Sequence, residues 1–217
     1  MSLRSLMFAA VFAAVAPAQS SFPADIDPAS LSRFPIVQRA DLKTDADRAA
    51  YDYIVGTAPR PTPLLGPGGI SLYSPGSAEP IDRLNRYLRS NSVIGRKLFE
   101  LCALIGAWEI EQQYEWTGHE AAALQFGVSQ KGVDTIKFNR PIEGLAEDET
   151  VVIEMGRQIL RNHKLDSALY AHAVRLFGRQ GTMELAVTMG DYILAGIMLI
   201  TADHQLPVDR KPLLPAR

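Results

Sequence analysis

The stretch Arg96-Lys-Leu-Phe-Glu100-Leu-Cys-Ala-Leu-Ile-Gly-Ala-Trp-Glu-Ile-Glu-Gln-Gln-Tyr-Glu115-Trp-Thr-Gly-His119-Glu120 decides how the chain is read. Its first part, 96–107, is apolar on almost every side, which is the pattern of a helix buried in a core. Glu100 interrupts that run. Burial raises the pKa of a carboxyl and makes it a candidate for proton transfer. The structural alternative is an ion pair with Arg96 or Lys97 on the same helix. Glu115 and His119 stand four residues apart, so a helix places them on one face within reach of each other. A histidine titrates near neutrality, and a carboxylate beside it fixes its tautomer. The pair therefore suits general acid/base chemistry, although Glu-His pairs at this spacing also decorate solvated faces. On one straight helix Glu100 and Glu115 would lie about 22 Å apart along the axis. They converge only if the chain turns between them, and Gly106 with Ala107-Trp108-Glu109 is where that turn is expected.

Outward from this stretch the spacing of apolar residues stays helical. It predicts helices over 81–88, 96–107 and 109–126, the last stopped by Gly127. Ser129 caps a short helix to about residue 138, before Pro141. An amphipathic helix over 147–162 has acids early and Arg161 and His163 late, as the helix dipole favours. Asp166 caps a helix that Gly178 ends, and Thr182 caps the last one, to about residue 203. Upstream, Thr44-Asp45-Ala46-Asp47 reads as a capping box for a helix to residue 55, with Gly56 as a left-handed stop. Residues 59–80, with Gly66-Pro67-Gly68-Gly69 and Tyr73-Ser74-Pro75, read as a long loop, either bordering a site or a plain connector. No segment alternates as a strand does. The expected class is all-α, with helix pairs joined by short loops.

The 217 residues suit one domain plus an N-terminal segment. Apolar residues make up 47%, charged residues 21%, and net charge is −2, which points to neither nucleic acid nor an anionic membrane surface. Arg4, an apolar run over 6–15 that is too short to span a bilayer, and Ala16-Pro17-Ala18 form a signal-peptide pattern. The expectation is cleavage after Ala18 and a secreted or periplasmic protein; the alternative is an uncleaved apolar tail. Residues 19–43, broken by Pro23, Pro28 and Pro35, read as a leader, 44–207 as the domain and 208–217 as a tail. Cys102 is the single cysteine and lies in an apolar stretch, so it reads as a small buried residue rather than a reactive thiol. The apolar run 193–200 is bounded by Gly190-Asp191 and Thr201, and reads as a core or subunit-interface helix rather than a membrane span. Asp191 is then an intersubunit ion-pair partner or an acid lining a pocket.

Glu100-Leu-Cys-Ala-Leu followed by Gln113-Tyr-Glu-Trp-Thr-Gly-His-Glu120 resembles the core signature of the carboxymuconolactone decarboxylase family, within the alkylhydroperoxidase-D-like superfamily. Gly66-Pro67-Gly68-Gly69-Ile70 with Leu72-Tyr73-Ser74-Pro75, and Arg175-Leu-Phe-Gly-Arg-Gln-Gly181 with Glu184-Leu185, are similar to its longer members. The resemblance spans roughly residues 45–207 and implies an alkylhydroperoxidase-D-like helical bundle, here behind a proline-containing extension. In the peroxidase branch two cysteines stand three apart, a histidine follows the second by four, and a glutamate precedes it by fifteen. Those positions here hold Gln112, Glu115, His119 and Glu100, so both thiols are gone while the helper groups remain. Thiol peroxidase activity is therefore disfavoured.

The decarboxylase branch has a glutamate four before its histidine, as Glu115 precedes His119. The resemblance implies cofactor-independent proton transfer on a small carboxylated ring by His119, Glu115 and Glu100, in a homo-oligomer (trimer or hexamer) with sites near subunit interfaces. In the expected roles His119 is the acid, Glu115 orients its ring, and Glu100 tunes or relays. Tyr114 and Trp116 are assigned to packing first and substrate contact second. Isomerisation or epimerisation by the same pair, and a non-catalytic binding module, are the alternatives. A metal site on His119, Glu115 and Glu111 is disfavoured, because the di-iron spacing Glu-x-x-His is one residue shorter and occurs twice in such bundles. No metal or cofactor is expected.

Overall fold

The computed structural model describes residues 22–56 and 63–216. The expected signal peptide, and residues 59–62 of the expected long loop, lie outside them. The described residues form eight α-helices, one 3-10 turn at Arg39–Asp41 and no strand, only an isolated bridge between Asp27 and Ser32. The class is all-α.

The centre is α4 (Gly95–Glu109), in which every residue from Leu98 to Trp108 is buried. A helix apolar on all sides has no face for water, so its neighbours enclose it. It packs against α5 (Gln113–Gln125), α7 (Glu147–Asn162) and α8 (Ser167–Thr201), with α3 (Pro75–Ser90) and α6 (Gln130–Lys137) completing the ring. Val151, Val152, Ile153 and Met155 of α7 and Leu185 and Met189 of α8 interdigitate with Leu101, Leu104 and Ile105. Stripping such side chains back to alanine costs about 2–5 kcal/mol each, which is the order of packing energy that fixes α4.

The reversal after α4 differs in position from the expected one. Gly106 is not a turn but lies inside α4, because its missing side chain lets α8 approach. A Cβ there would stand 2.8 Å from Tyr192 Cβ and 3.2 Å from the Met189 carbonyl oxygen. The chain turns instead at Ile110–Gln112, with Glu111 left-handed at φ 54°. The Gln112 amide closes the turn on the Ala107 carbonyl at 2.8 Å, and the Gln112 side chain caps α5 by accepting from the Tyr114 amide at 2.9 Å. Orphan donors at the start of α5 are thus met by the residue that makes the turn.

The segment expected as a loop is partly helical: α2 (Gly66–Ser71) and the first turns of α3 fall within it. Pro67 and Pro75 sit at helix starts, where a missing N–H costs nothing. Pro80 lies inside α3 and gives up one early bond, while buried Ala78 and Leu88 hold the helix by packing. Gly56 ends α1 (Asp45–Gly56) without a left-handed φ, since the helix runs through it, whereas Thr44 caps the start by accepting from the Asp47 amide at 3.0 Å.

Gly178 ends a helix as expected: at φ 68°, ψ 174° it leaves helical geometry, and α8 is two helices that meet there across a kink. The second helix starts directly after Gly178, so Thr182 lies inside it and does not cap it; its hydroxyl donates to the Gly178 carbonyl at 2.7 Å. Within α8 an 18-residue window has mean hydropathy 1.6, long and apolar enough to cross a membrane, and 44% of it is buried here. It buries Leu185, Met189, Tyr192 and Leu199 and leaves Leu194, Ile197 and Ile200 exposed. The end of α8 is bound by the leader, through the Arg33 amide on the Ala202 carbonyl and the Gln205 amide on the Leu31 carbonyl, both 2.7 Å. The tail is held by Gln113, whose Oε1 accepts from the Leu213 and Leu214 amides.

Candidate active site

Because the chain reverses at Ile110–Gln112, α5 returns along α4 and brings His119 to Glu100. Nδ1 of His119 lies 2.6 Å from Glu100 Oε2, and Nε2 lies 3.5 Å from Glu115 Oε2. All three residues singled out in the sequence therefore meet. Their order differs from the expected one: Glu100, not Glu115, makes the short contact that fixes the ring. The reason is the register of the hairpin, which aims a carboxylate from the facing helix straight at Nδ1 and leaves the neighbour on α5 a longer reach.

Glu100 is wholly buried, and both oxygens are engaged, since Arg96 Nε donates to Oε1 at 2.6 Å. The ion pair and the histidine contact thus coexist. Lys97 turns away to Asp148 at 2.8 Å and Glu149 at 3.2 Å. Burial pushes the Glu100 carboxyl up, but the His119 hydrogen bond and charge, with Arg96, outweigh it and hold it below the usual range. Glu115 goes the other way: burial raises it, with Asp191 adding to the rise, against the opposing charges of His119 and Arg89. The imidazole is held by aromatic edges, Tyr192 at 4.8 Å and Phe99 at 6.5 Å between centroids.

His119, Glu115 and Tyr114 line a cavity of about 440 Å³ between α3, α5 and α8, closed by Leu64, Leu65 and the start of α2. The segment expected as a long loop thus borders the site. Glu100 stands behind His119, outside the lining. Asp191 lines the same cavity, where its Oδ2 accepts from Asn85 Nδ2 at 2.8 Å, and it is an acid of the pocket. Burial raises its carboxyl, against the Asn85 hydrogen bond and the Arg89 charge.

Among the lining residues that escaped the sequence reading are Asn85, Arg89 and Tyr192. Arg89 meets Tyr192 across 103 positions; no local pattern announces such a pair. The other expectations resolve simply. Trp116 is fully buried and donates to Glu120, so it packs, whereas Tyr114 reaches the cavity. Glu111 lies on the exposed turn and shares no helix face with His119, which removes it from any metal set; among the described residues no group of three His, Cys, Asp or Glu is arranged to hold a metal ion. Cys102 is buried, and burial pushes its thiol up. His163 is the left-handed cap of α7, and His172 pairs with Glu147 at 2.7 Å. His204 is buried edge-on to Tyr114 at 4.6 Å, and burial drives its pKa down to about 4.

No family model matches the chain, and no curated protein matches it. Among solved structures the chain is similar to a cysteine-to-alanine variant of the debrominase Bmp8 in complex with 2,3,4-tribromopyrrole, at 15% identity, a TM-score of 0.55, and coverage of 79% of this chain and 90% of that one. That likeness shows a related all-helical fold.

Proposed function

We propose that the protein is an enzyme of the carboxymuconolactone decarboxylase type, in the alkylhydroperoxidase-D-like superfamily, acting by acid/base proton transfer on a small unsaturated lactone or keto acid without a cofactor. The observation that carries this reading is the 2.6 Å contact between His119 Nδ1 and buried Glu100, which leaves Nε2 toward the cavity. In the protonated ring, Nδ1–H donates to Glu100 and Nε2–H is free to serve as the acid. On loss of carbon dioxide, the carbon–carbon bond breaks and its electron pair passes into an adjacent carbonyl as an enolate. The proton on Nε2 then goes to the carbon. Glu115, whose carboxyl is raised by burial and sits 3.5 Å from Nε2, returns a proton to the ring. The debrominase similar in fold was solved with a brominated pyrrole; here the one cysteine is buried in the core, so the proposed chemistry runs through the imidazole and not a thiolate.

Asp191 favours a second reading. It is another raised carboxyl on the wall of the same cavity, supplied by a different helix. Two proton-transfer groups on two walls suit a double-bond isomerisation, with the proton leaving to one and arriving from the other. Incubation with a panel of unsaturated lactone acids in heavy water separates the two: gas release marks decarboxylation, and deuterium uptake without gas marks isomerisation. His119→Gln lowers either rate by about 10²–10⁴-fold with helix content unchanged. A variant that turns over like the parent rejects the assignment.

A further inference from the structure

The two arginines on the cavity wall are partnered differently. Arg86 is matched by Asp82 at 2.7 Å. Arg89, one turn earlier than Ser92 and three residues on from Arg86, has no such match among the described residues. Its Nε donates to Asn85 Oδ1 at 3.3 Å and its Nη2 to Tyr192 Oη at 3.1 Å, both neutral acceptors. Its flat face lies 4.9 Å from the centroid of Phe99. Two of the five guanidinium donors are thus used to fix the plane, and the others remain for a ligand. A cation held rigidly by neutral partners on a cavity wall loses little freedom when an anion arrives, and its planar fork fits a carboxylate.

The same wall limits how much negative charge can enter. Glu115 and Asp191 line the cavity beside Arg89, and each, when ionised, repels a second anion. Ile54, Leu64, Leu65 and Met198 give the remainder an apolar surface. A cavity of roughly 150 Å³ holds a benzene ring, so about 440 Å³ accommodates one ring with a substituent and water.

We propose that Arg89 is the anchor for a single carboxylate, and that the cavity selects a flat, ring-sized monocarboxylate and rejects the corresponding dianion. The proposal rests on reading this cavity as the active site, and it makes Arg89 a specificity-determining residue that sequence analysis did not reach. The bound carboxylate would place the ring between Arg89 and the face that His119 and Glu115 present.

Titration calorimetry on the purified full chain at neutral pH, with benzoate, benzamide and phthalate as probes, tests this without needing the natural substrate. Benzoate is expected to bind at least about tenfold tighter than benzamide, its neutral counterpart, and tighter than phthalate by a similar factor. Arg89→Gln is expected to weaken benzoate to the level of benzamide while leaving benzamide within about twofold, which shows that the cavity is still formed; Arg89→Lys falls between, since it keeps the charge but not the fork. Benzamide binding as tightly as benzoate, or Arg89→Gln binding benzoate unchanged, overturns the anchor. Phthalate binding as tightly as benzoate overturns the single-anion limit, and failure of all three probes overturns the ligand class. His119→Gln keeps benzoate binding in this scheme, so a failure of the catalytic reading appears as unaltered turnover with binding intact, separate from a failure of Arg89.

Discussion

Glu184 and Glu115 are almost equally hidden, 7% and 5% exposed, yet the protein surrounds them in opposite ways. Glu184 accepts from Ser92 Oγ and Tyr87 Oη at 2.5 Å, the Val93 amide at 2.8 Å and Gln180 Nε2 at 2.9 Å. These tie the α3–α4 connection to α8 beside its break at Gly178. Burial pushes its carboxyl up, but the donors from Ser92, Tyr87, Gln180 and Val93 outweigh it and hold it at about 2. Glu115 has one longer contact, 3.5 Å to His119, and faces a cavity. A carboxylate saturated with donors is committed to the fold and holds no proton to give. One left short of donors beside an opening keeps a raised pKa, which is the condition for moving a proton. Glu100 is intermediate: saturated like Glu184, by Arg96 and His119, but with one oxygen on the imidazole that faces the cavity.

The same isosteric change, glutamate to glutamine, tests that ordering. Glu100→Gln has the largest expected effect on stability, about 3 kcal/mol at neutral pH, because it leaves Arg96 beside a neutral buried group and loosens His119. Its folded carboxyl lies below the ordinary glutamate value of 4.5, so the stabilisation is present above that value and fades as pH falls. Urea unfolding at pH 7 and pH 3.5 reads both; equal midpoints for variant and parent at pH 7 would undo the claim that Glu100 is bound as an anion. Glu184→Gln comes next, at about 1–2 kcal/mol at neutral pH. With a folded value of about 2 against 4.5, its contribution is complete above 4.5 and lost as pH falls toward 2. Melting curves of parent and variant should therefore converge across that window, and turnover of the variant at neutral pH should stay near the parent's.

Much of this was readable in advance, for identifiable reasons. The run Leu98 to Ala107 could only be a buried helix, and the i,i+4 spacing of Glu115 and His119 put them on one face wherever α5 went. The convergence of Glu100 was legible as a requirement, since the site needed a reversal, but its place was not. Gly106 looked like punctuation because a sequence does not show what approaches a glycine; Tyr192 of α8 is 86 positions away. The prolines misled in the same way: Pro67 and Pro75 suggested loop, whereas the first turn of a helix accepts proline without loss, and Pro80 is carried inside α3 by the packing of its neighbours. Arg89 and Asp191 could not be placed, because what makes them matter is a shared cavity assembled by α3 and α8. Asp191 at least stood out as a charge in an apolar helix; Arg89, in a polar amphipathic one, carried no signal.

Glu115→Gln has the smallest expected effect on stability and the sharpest one on the comparison, because its sign should be opposite. Burial raises the folded carboxyl above the unfolded value, so folding favours the protonated acid. That contribution is fully present below about 4.5 and is lost as pH rises through the folded value. Glutamine resembles the neutral acid at every pH. The variant should therefore match the parent at pH 3.5 and equal or exceed it by up to about 1 kcal/mol at pH 7, the reverse of Glu184→Gln. Turnover should fall by about tenfold or more, since the ring has lost its proton store while its anchor on Glu100 remains. Chemical denaturation at the two pH values, with a rate measured beside each, decides it. A Glu115→Gln protein that loses stability at pH 7 as Glu184→Gln does would mean that Glu115 is bound as an anion after all, and the distinction between the carboxylate that builds the fold and the one that serves the cavity would fail.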